Sequence, residues 1–375
     1  MRKALLLTFF GLFVCLWAFP QETPQEKKPS FITLDNLQLS TRADFTVDYN
    51  LGHDTVAPSF DHGFAGKYLV IALDGTIGRN KKFSYHLRQR INAPNISFAN
   101  TFFQGTDWAY LNWNFTDNFF LSAGKQVVAI GGWEYDTNPI DIYYGTEFWN
   151  TVCCYAVGAS INFKDRSGKN HVLFQVCNSP FIEKAMESIY AYNLMWYGDF
   201  GVFKTTYSVN MIQYFPLIPD PEQLPGEPTY LIKDPNSKFI NYIALGNKLQ
   251  FKGVEMYLDI TNRASFEQEH FFGQDITAIF GIGVDIGKKW IVFAKAGYDY
   301  NRAQLPNTDV YVYDQYIVPG KKVDFESLGF EFYPLADRSL RLHLCGSHTC
   351  VDGAHKFQGN LGLTWKVNLL NLIKK

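Results

Sequence analysis

From residue 40 onward, polar and apolar residues alternate in runs of about ten, and in an extended chain alternation sends the two kinds to opposite faces. The clearest run is 82–92, where Lys82, Ser84, His86, Arg88, Arg90 and Asn92 share one face and Phe83, Tyr85, Leu87 and Ile91 the other. Near the start, Arg42, Asp44, Thr46, Asp48 and Asn50 alternate with Ala43, Phe45, Val47 and Tyr49. Near the end, Lys356, Gln358, Asn360, Thr364, Lys366 and Asn368 alternate with Phe357, Leu361, Leu363, Trp365, Val367 and Leu369. The pattern predicts sixteen strands: 40–50, 65–74, 82–92, 106–115, 118–127, 152–163, 170–177, 190–198, 202–213, 239–251, 254–262, 275–286, 290–300, 322–332, 339–345 and 356–369. In 65–74 and 322–332 the parity stays open.

The connections between these strands alternate long and short throughout. The short ones, about 2 to 7 residues, include the tight turns Thr116-Asp117, Lys252-Gly253 and Gly287-Lys288-Lys289, while the long ones run from about 10 to about 25 residues and are rich in Pro, Asn, Asp and aromatics. All long loops therefore fall at one end, as in an up-and-down barrel crossing a bacterial outer membrane, with short turns toward the periplasm. A soluble sandwich has no reason to sort its loops, and a lipocalin-like barrel would put the apolar face inside and use about eight strands. The expectation is an all-β fold: a closed antiparallel up-and-down transmembrane β-barrel of 16 strands around a water-filled lumen.

Composition narrows the picture further. Charged residues are 19% and aromatics 17% of the 375 residues, too aromatic and too weakly charged for a disordered chain. A formal net charge of -2 without basic runs gives nucleic acid no electrostatic purchase. After the N-terminus, no apolar stretch reaches the roughly 18 to 20 residues of a membrane helix. Residues 1–19 (Arg2, Lys3, an apolar run, then Ala18) read as a secretory signal peptide, and the polar, Pro-rich stretch inside 20–39 reads as a periplasmic linker before a barrel of 40–375.

Cys153, Cys154, Cys177, Cys345 and Cys350 remain after cleavage, an odd set whose pairing the sequence leaves open. Cys345 and Cys350 with His343, His348 and His355 match no zinc spacing. No catalytic motif is present, His86 and His343 being the best candidates for a base, and no cofactor is expected.

The stretch Leu121-Ser122-Ala123-Gly124-Lys125-Gln126, followed by Gly131-Gly132-Trp133-Glu134-Tyr135-Asp136-Thr137-Asn138-Pro139, resembles the third-loop region of the phosphate-selective porin O and P family, particularly its Bacteroidetes relatives. The resemblance, over 121–150, implies a sixteen-stranded, usually trimeric porin of the Gram-negative outer membrane whose third loop folds into the lumen. Two departures stand out. The family's selectivity is associated with basic residues along the pore and third loop, yet no Lys, Arg or His lies between Gln126 and Phe163. The chain also ends Leu370-Asn371-Leu372-Ile373-Lys374-Lys375 rather than on an aromatic residue.

The third long connection, 128–151, carries Glu134, Asp136, Asp141 and Glu147 without a basic residue. The polar parity supplies Arg42, Lys82, Arg88, Arg90, Lys204, Lys248, Lys295, Arg341, Lys356 and Lys366, with Asp44, Asp48, Glu255, Asp259, Asp275, Asp285 and Asp299 as acidic partners. An inward loop would set an acidic wall against a basic one at a constriction formed by Arg42, Lys82, Arg88, Arg90, Glu134, Asp136, Asp141, Glu147 and Arg341, where a narrow channel focuses the field. The function expected is passive diffusion of small hydrophilic solutes and ions, in contact with outer-membrane lipid. A phosphate or other anion channel, or a surface barrel serving adhesion or lipid hydrolysis, are the alternatives.

Overall fold

The structure, a computed structural model, describes residues 30–52, 57–91, 105–181, 188–219, 231–265, 272, 275–301 and 322–373. Its strands are β1 (Asn36–Asn50), β2 (Ser59–Ile77), β3 (Phe83–Arg90), β4 (Thr106–Asn114), β5 (Phe119–Val127), β6 (Tyr155–Lys164), β7 (Asn170–Asn178), β8 (Tyr190–Phe200) and β9 (Phe203–Tyr214). A three-residue ladder, β10 (Leu217–Pro219) with β11 (Leu231–Lys233), follows β9. Then come β12 (Lys238–Phe251), β13 (Val254–Ser265), β14 (Asp275–Ile286), β15 (Trp290–Asn301), β16 (Lys322–Phe332), β17 (Leu340–Val351) and β18 (Ala354–Asn368). All but β10 and β11 pair in chain order into one closed barrel of sixteen strands, as the alternation predicted. The seam is β1 against β18, antiparallel from Gln38↔Asn368 to Asn50↔Lys356.

Partners across an antiparallel ladder share a face, so register carries the polarity of one strand around the wall. Leu361 (57% exposed), Leu363, Trp365 and Phe357 point outward, while Asn360 and Thr364, one position off, are buried inside. Leu194, Val209, Phe280 and Leu328 continue the exposed apolar surface on other strands. Such a wall costs free energy in water and is stabilised only by lipid or by another apolar surface.

Three details differ from the sequence reading. The first strand starts at Asn36, inside the expected 20–39 linker, and Ile32 bridges Ile77. β2 is far longer than 65–74, and its register shifts opposite Arg42/Ala43, so parity inverts within it. The last long connection shrinks to Asp352-Gly353, both in the left-handed region (φ 47° and 89°), because β17 and β18 run on to Val351 and Ala354. The open parity of 322–332 has a cause as well. In β16 the lumen face carries Val323 and Phe325, both buried, whereas the outward parity begins with Lys322, Asp324 and Glu326.

The five cysteines are free thiols. Cys345 pairs with lumen-facing Asn360, whereas Cys350 pairs with His355 on the opposite parity, so the cluster weighed around them is split by the wall. After β18 the chain turns into a short helix, Leu369–Ile373. The expected signal peptide, 1–19, lies outside the described residues.

The wall makes a direct prediction. Leu361→Arg should destabilise the barrel by roughly 2–4 kcal/mol, the cost of a lipid-facing Arg near the midplane. Gln358→Arg, on the lumen parity beside Asp48 (2.7 Å), should cost under about 1 kcal/mol. Denaturant unfolding in lipid vesicles compares the two, and equal costs would overturn the assigned parity.

Candidate functional site: the third loop across the lumen

The connection from β5 to β6 folds back into the barrel, and its composition explains how. Gly131 lies flat on the wall with its N–H donating to Ser208 Oγ at 2.8 Å, and a Cβ there would sit 2.8 Å from the Thr206 carbonyl. Gly132 has φ 110° and opens a one-turn helix, α1 (Trp133–Asp136). Asn138 caps a 3-10 turn, Pro139–Asp141, and Thr146 caps α2 (Glu147–Thr151) through the Trp149 N–H. Val128, Ile130, Tyr135 and Phe148 pack on Ile212, Tyr214, Ile240, Tyr242 and Ala244, a patch inside the barrel near the long-loop end. The lumen is therefore not polar throughout. It is apolar on the β9–β12 side, where these loop residues cover it.

The rest of the loop is tied by charge-assisted bonds. Glu134, 2% exposed, accepts from the Thr146 N–H (3.0 Å) and hydroxyl (2.5 Å) and pairs with Lys295 of β15. Lys295 also donates to the Tyr144 carbonyl at 2.7 Å. The Glu134 N–H donates to Asp259 of β13 at 2.8 Å. Asp141 receives Arg341 of β17 at 2.8 Å and Lys366 of β18 at 2.9 Å. Arg42 of β1 donates to the carbonyls of Ile140 (3.2 Å) and Ile142 (2.5 Å) while Asp44 holds its other edge at 2.6 Å. Tyr143 donates to Glu331 of β16 at 2.5 Å. Burial alone would raise the Asp141 pKa, but Arg341 and Lys366 outweigh it and hold the carboxyl below its ordinary range.

The sequence-predicted residues thus separate. Glu134, Asp141, Arg42 and Arg341 meet at the loop, in direct contact rather than across an open gap. Arg88 reaches the loop through Asn138 Oδ1 at 2.6 Å, and its other partner, shared with Arg90, is Asp107 of β4 (3.1 and 2.6 Å). Lys82 is exposed in the β2–β3 turn, away from the loop. Asp136 is open to the lumen, within 3.4 Å of the Tyr197 hydroxyl. Glu147 opens α2, and its side chain lies outside the described residues.

Sequence reasoning passed over Asp107, Glu331 and Arg263, which lies under Phe148 of the loop and is the buried partner of the expected lumen residue Asp275. Arg263 continues the parity of Asp259 and Thr261, and extending that strand by one residue would have found it. Asp107 carried no such signal, because a register shift opposite Arg88/Gln89 takes it out of phase. His86 and His343 are held by Asp74 (2.7 Å) and Asp44 (3.1 Å).

The loop leaves space on two sides. A cavity of about 440 Å³ lies between it and β3–β8, and one of about 200 Å³ lies between Tyr143, Tyr144 and the β13–β16 wall.

A closed sixteen-stranded wall, apolar outside, with its third loop bonded across the lumen is the architecture of outer-membrane porins. Residues 38–201 match the family described as phosphate-selective porin O and P, so the resemblance carried by 121–150 holds over nearly half the chain. Among solved structures, the chain is similar to the outer-membrane channel DcaP of Acinetobacter baumannii (12% identity, TM-score 0.62, 92% of this chain and 100% of that one). It is also similar to an anion-selective porin from Comamonas acidovorans (11%, 0.58, 90% and 100%). A trimer form of Vibrio cholerae OmpT follows (11%, 0.53, 90% and 100%). At these identities the likeness is one of fold. No curated protein sequence matches the chain.

Asp141 is the most informative residue to change. Asp141→Asn leaves Lys366 uncompensated and Arg341 with Glu331 alone (3.3 Å), so the reversal potential across a salt gradient should move toward anions. The shift should shrink from 0.1 M to 1 M salt as the Debye length falls from about 10 Å to about 3 Å. Because the carboxyl's pKa is lowered on docking, its contribution is complete above about pH 4 and fades only as pH falls through the lowered value. Wild-type current should therefore stay quiet at pH 5, whereas the Asn variant should flicker there, and indistinguishable traces would separate Asp141 from loop anchoring.

Proposed function

We propose that the protein is a passive channel of the Gram-negative outer membrane, exported by its N-terminal signal, assembled as a homotrimer and open to small hydrophilic solutes and ions. The observation that carries this reading is the pairing of an apolar outer wall with a lumen that still holds cavities on both sides of a firmly tied loop. In that orientation the short turns, the start of β1 and the end of β18 face the periplasm and the long loops face outward. The trimer form of the Vibrio protein supports the assembly, and the channels among the similar structures support the transport class.

The fold and the family match indicate a channel. His343 is held by Asp44, and His86 meets Asp74 through Nδ1 while its Nε2 lies 3.2 Å from both the Ser84 hydroxyl and the Asn112 amide, which ties the ring into the hydrogen-bonding of the wall. An anion-selective reading would draw on the Comamonas porin, but the cations that would form its track are spent. Arg42, Arg88, Arg90, Lys295, Arg341 and Lys366 each face a carboxylate within 3.2 Å. The loop is a fastener first, and its charges are balanced by the wall.

Purified protein in planar bilayers should give ohmic steps, with weak ion preference in 1 M KCl. Phosphate added to millimolar levels should not block them. Silent membranes despite a heat-stable folded barrel would overturn the channel reading, and saturable phosphate block would replace it with an anion-specific one.

A further inference from the structure

The wall that loop three leaves open is chemically unlike the wall it binds. Facing the 440 Å³ cavity are the rings of Tyr110, Phe120 and Tyr197, together with His86 and His171. They are held in fixed poses. His86 lies on Tyr110 with centroids 4.9 Å apart, and His171 lies on Tyr197 at 5.6 Å with planes only 13° apart.

Between the rings, a hydrogen-bonded belt crosses six consecutive strands, β2 to β7. His86 Nδ1 meets Asp74 at 2.7 Å, and the Asn112 amide donates to His86 Nε2 at 3.2 Å. The Ser122 hydroxyl donates to Asn112 Oδ1 at 2.6 Å, and the Asn162 amide reaches Ser122 Oγ at 3.5 Å. His171 Nε2 closes the series on Asn162 Oδ1 at 3.0 Å. At the loop end Asp136 opens to the same space, and at the short-turn end Lys164 lies over Phe120, 5.2 Å from its centroid. Between those two ends the surface offers aromatic faces, amides and hydroxyls.

We propose that this wall is a binding track for neutral, ring-shaped, polyhydroxylated solutes, that is, short saccharides. The inference rests on the channel reading and deepens it. A pyranose ring has an apolar C–H face and a rim of hydroxyls. Tyr110, Phe120 and Tyr197 supply flat apolar surfaces for the face, and the belt and Asp136 exchange hydrogen bonds with the rim. An anion gains little here, because Asp136 repels it and Arg42, Arg88, Arg90 and Arg341 of the lumen are already paired with carboxylates. A neutral solute keeps all its hydrogen bonds as it moves from one amide or hydroxyl to the next, which gives weak binding compatible with passage.

The test uses the full-length protein in planar bilayers with 1 M KCl, and maltotriose, sorbitol and potassium phosphate as probes. The expected result is saturable, concentration-dependent interruption of the current by maltotriose, with sorbitol at the same concentration causing no interruptions. Tyr110→Ala and Tyr197→Ala should each raise the half-blocking maltotriose concentration about five-fold or more, and Tyr110→Phe should leave it near the wild-type value. Equal responses to maltotriose and sorbitol overturn the proposal. So does block by phosphate without block by maltotriose, or a half-blocking concentration untouched by both alanine variants. The wild-type comparison decides the matter even where an alanine variant fails to fold. Absence of conductance would sink the channel itself, whereas conductance without saccharide block sinks only this inference.

Discussion

The structure depends on closing one hydrogen-bonded ladder. A backbone N–H or C=O left unpaired in hydrocarbon costs several kcal/mol, and a sheet avoids that cost along its whole length only by having no edge. The seam of β1 with β18 removes the last edge. Once it is closed, the two-residue period of every strand becomes a division between lipid and lumen. A slip of one residue would turn the whole apolar set of a strand inward, so register is fixed as firmly as closure.

Within that wall the third loop is held by two kinds of force on two sides. Its apolar residues fill the patch on β9 and β12, where water is excluded and the burial of Phe148 and Ile130 contributes in the ordinary way. Its carboxylates meet Lys295, Arg341 and Lys366 on the far side. Removing one partner of such a buried pair leaves a charge with no compensation, which costs more than the pair itself contributes. Charge is thus concentrated where the loop is anchored. The wall from β3 to β8 offers mainly amides, hydroxyls and rings to the larger cavity, its Arg88 and Arg90 being tied to Asp107.

The barrel was legible in the sequence because most lumen positions are polar and most outer ones apolar, and loop lengths marked the two ends. Legibility failed where the lumen is dry. Val323 and Phe325 point inward because Tyr144 of the loop lies beside Phe325, ring centroids 5.3 Å apart, a circumstance that alternation within β16 cannot reveal. It failed again at the register shifts in β2 and β3–β4, where one extra residue reverses the meaning of every later position. For the loop, the resemblance implied an inward fold, and charge marked the basic wall that such a loop would meet. Which carboxylates would be tied and which left open depended on contacts over a hundred residues away, as with Glu134 and Lys295.

Three residues at the tip of that loop, Ile140 to Ile142, bond to Arg42 near the start of the chain and to Arg341 and Lys366 near its end. Those contacts fall on β1 and β18, which form the seam, and on the adjoining β17. The tip is therefore a meeting point for chain ends more than 300 residues apart, and it organises them around a common centre. Such distant contacts carry a large loop-closure entropy, which is lost once for the seam and the loop together rather than twice. Barrel closure and loop docking are in this sense a single cooperative event, and a chain whose loop stays outside must close its last strands without the scaffold that gathers them.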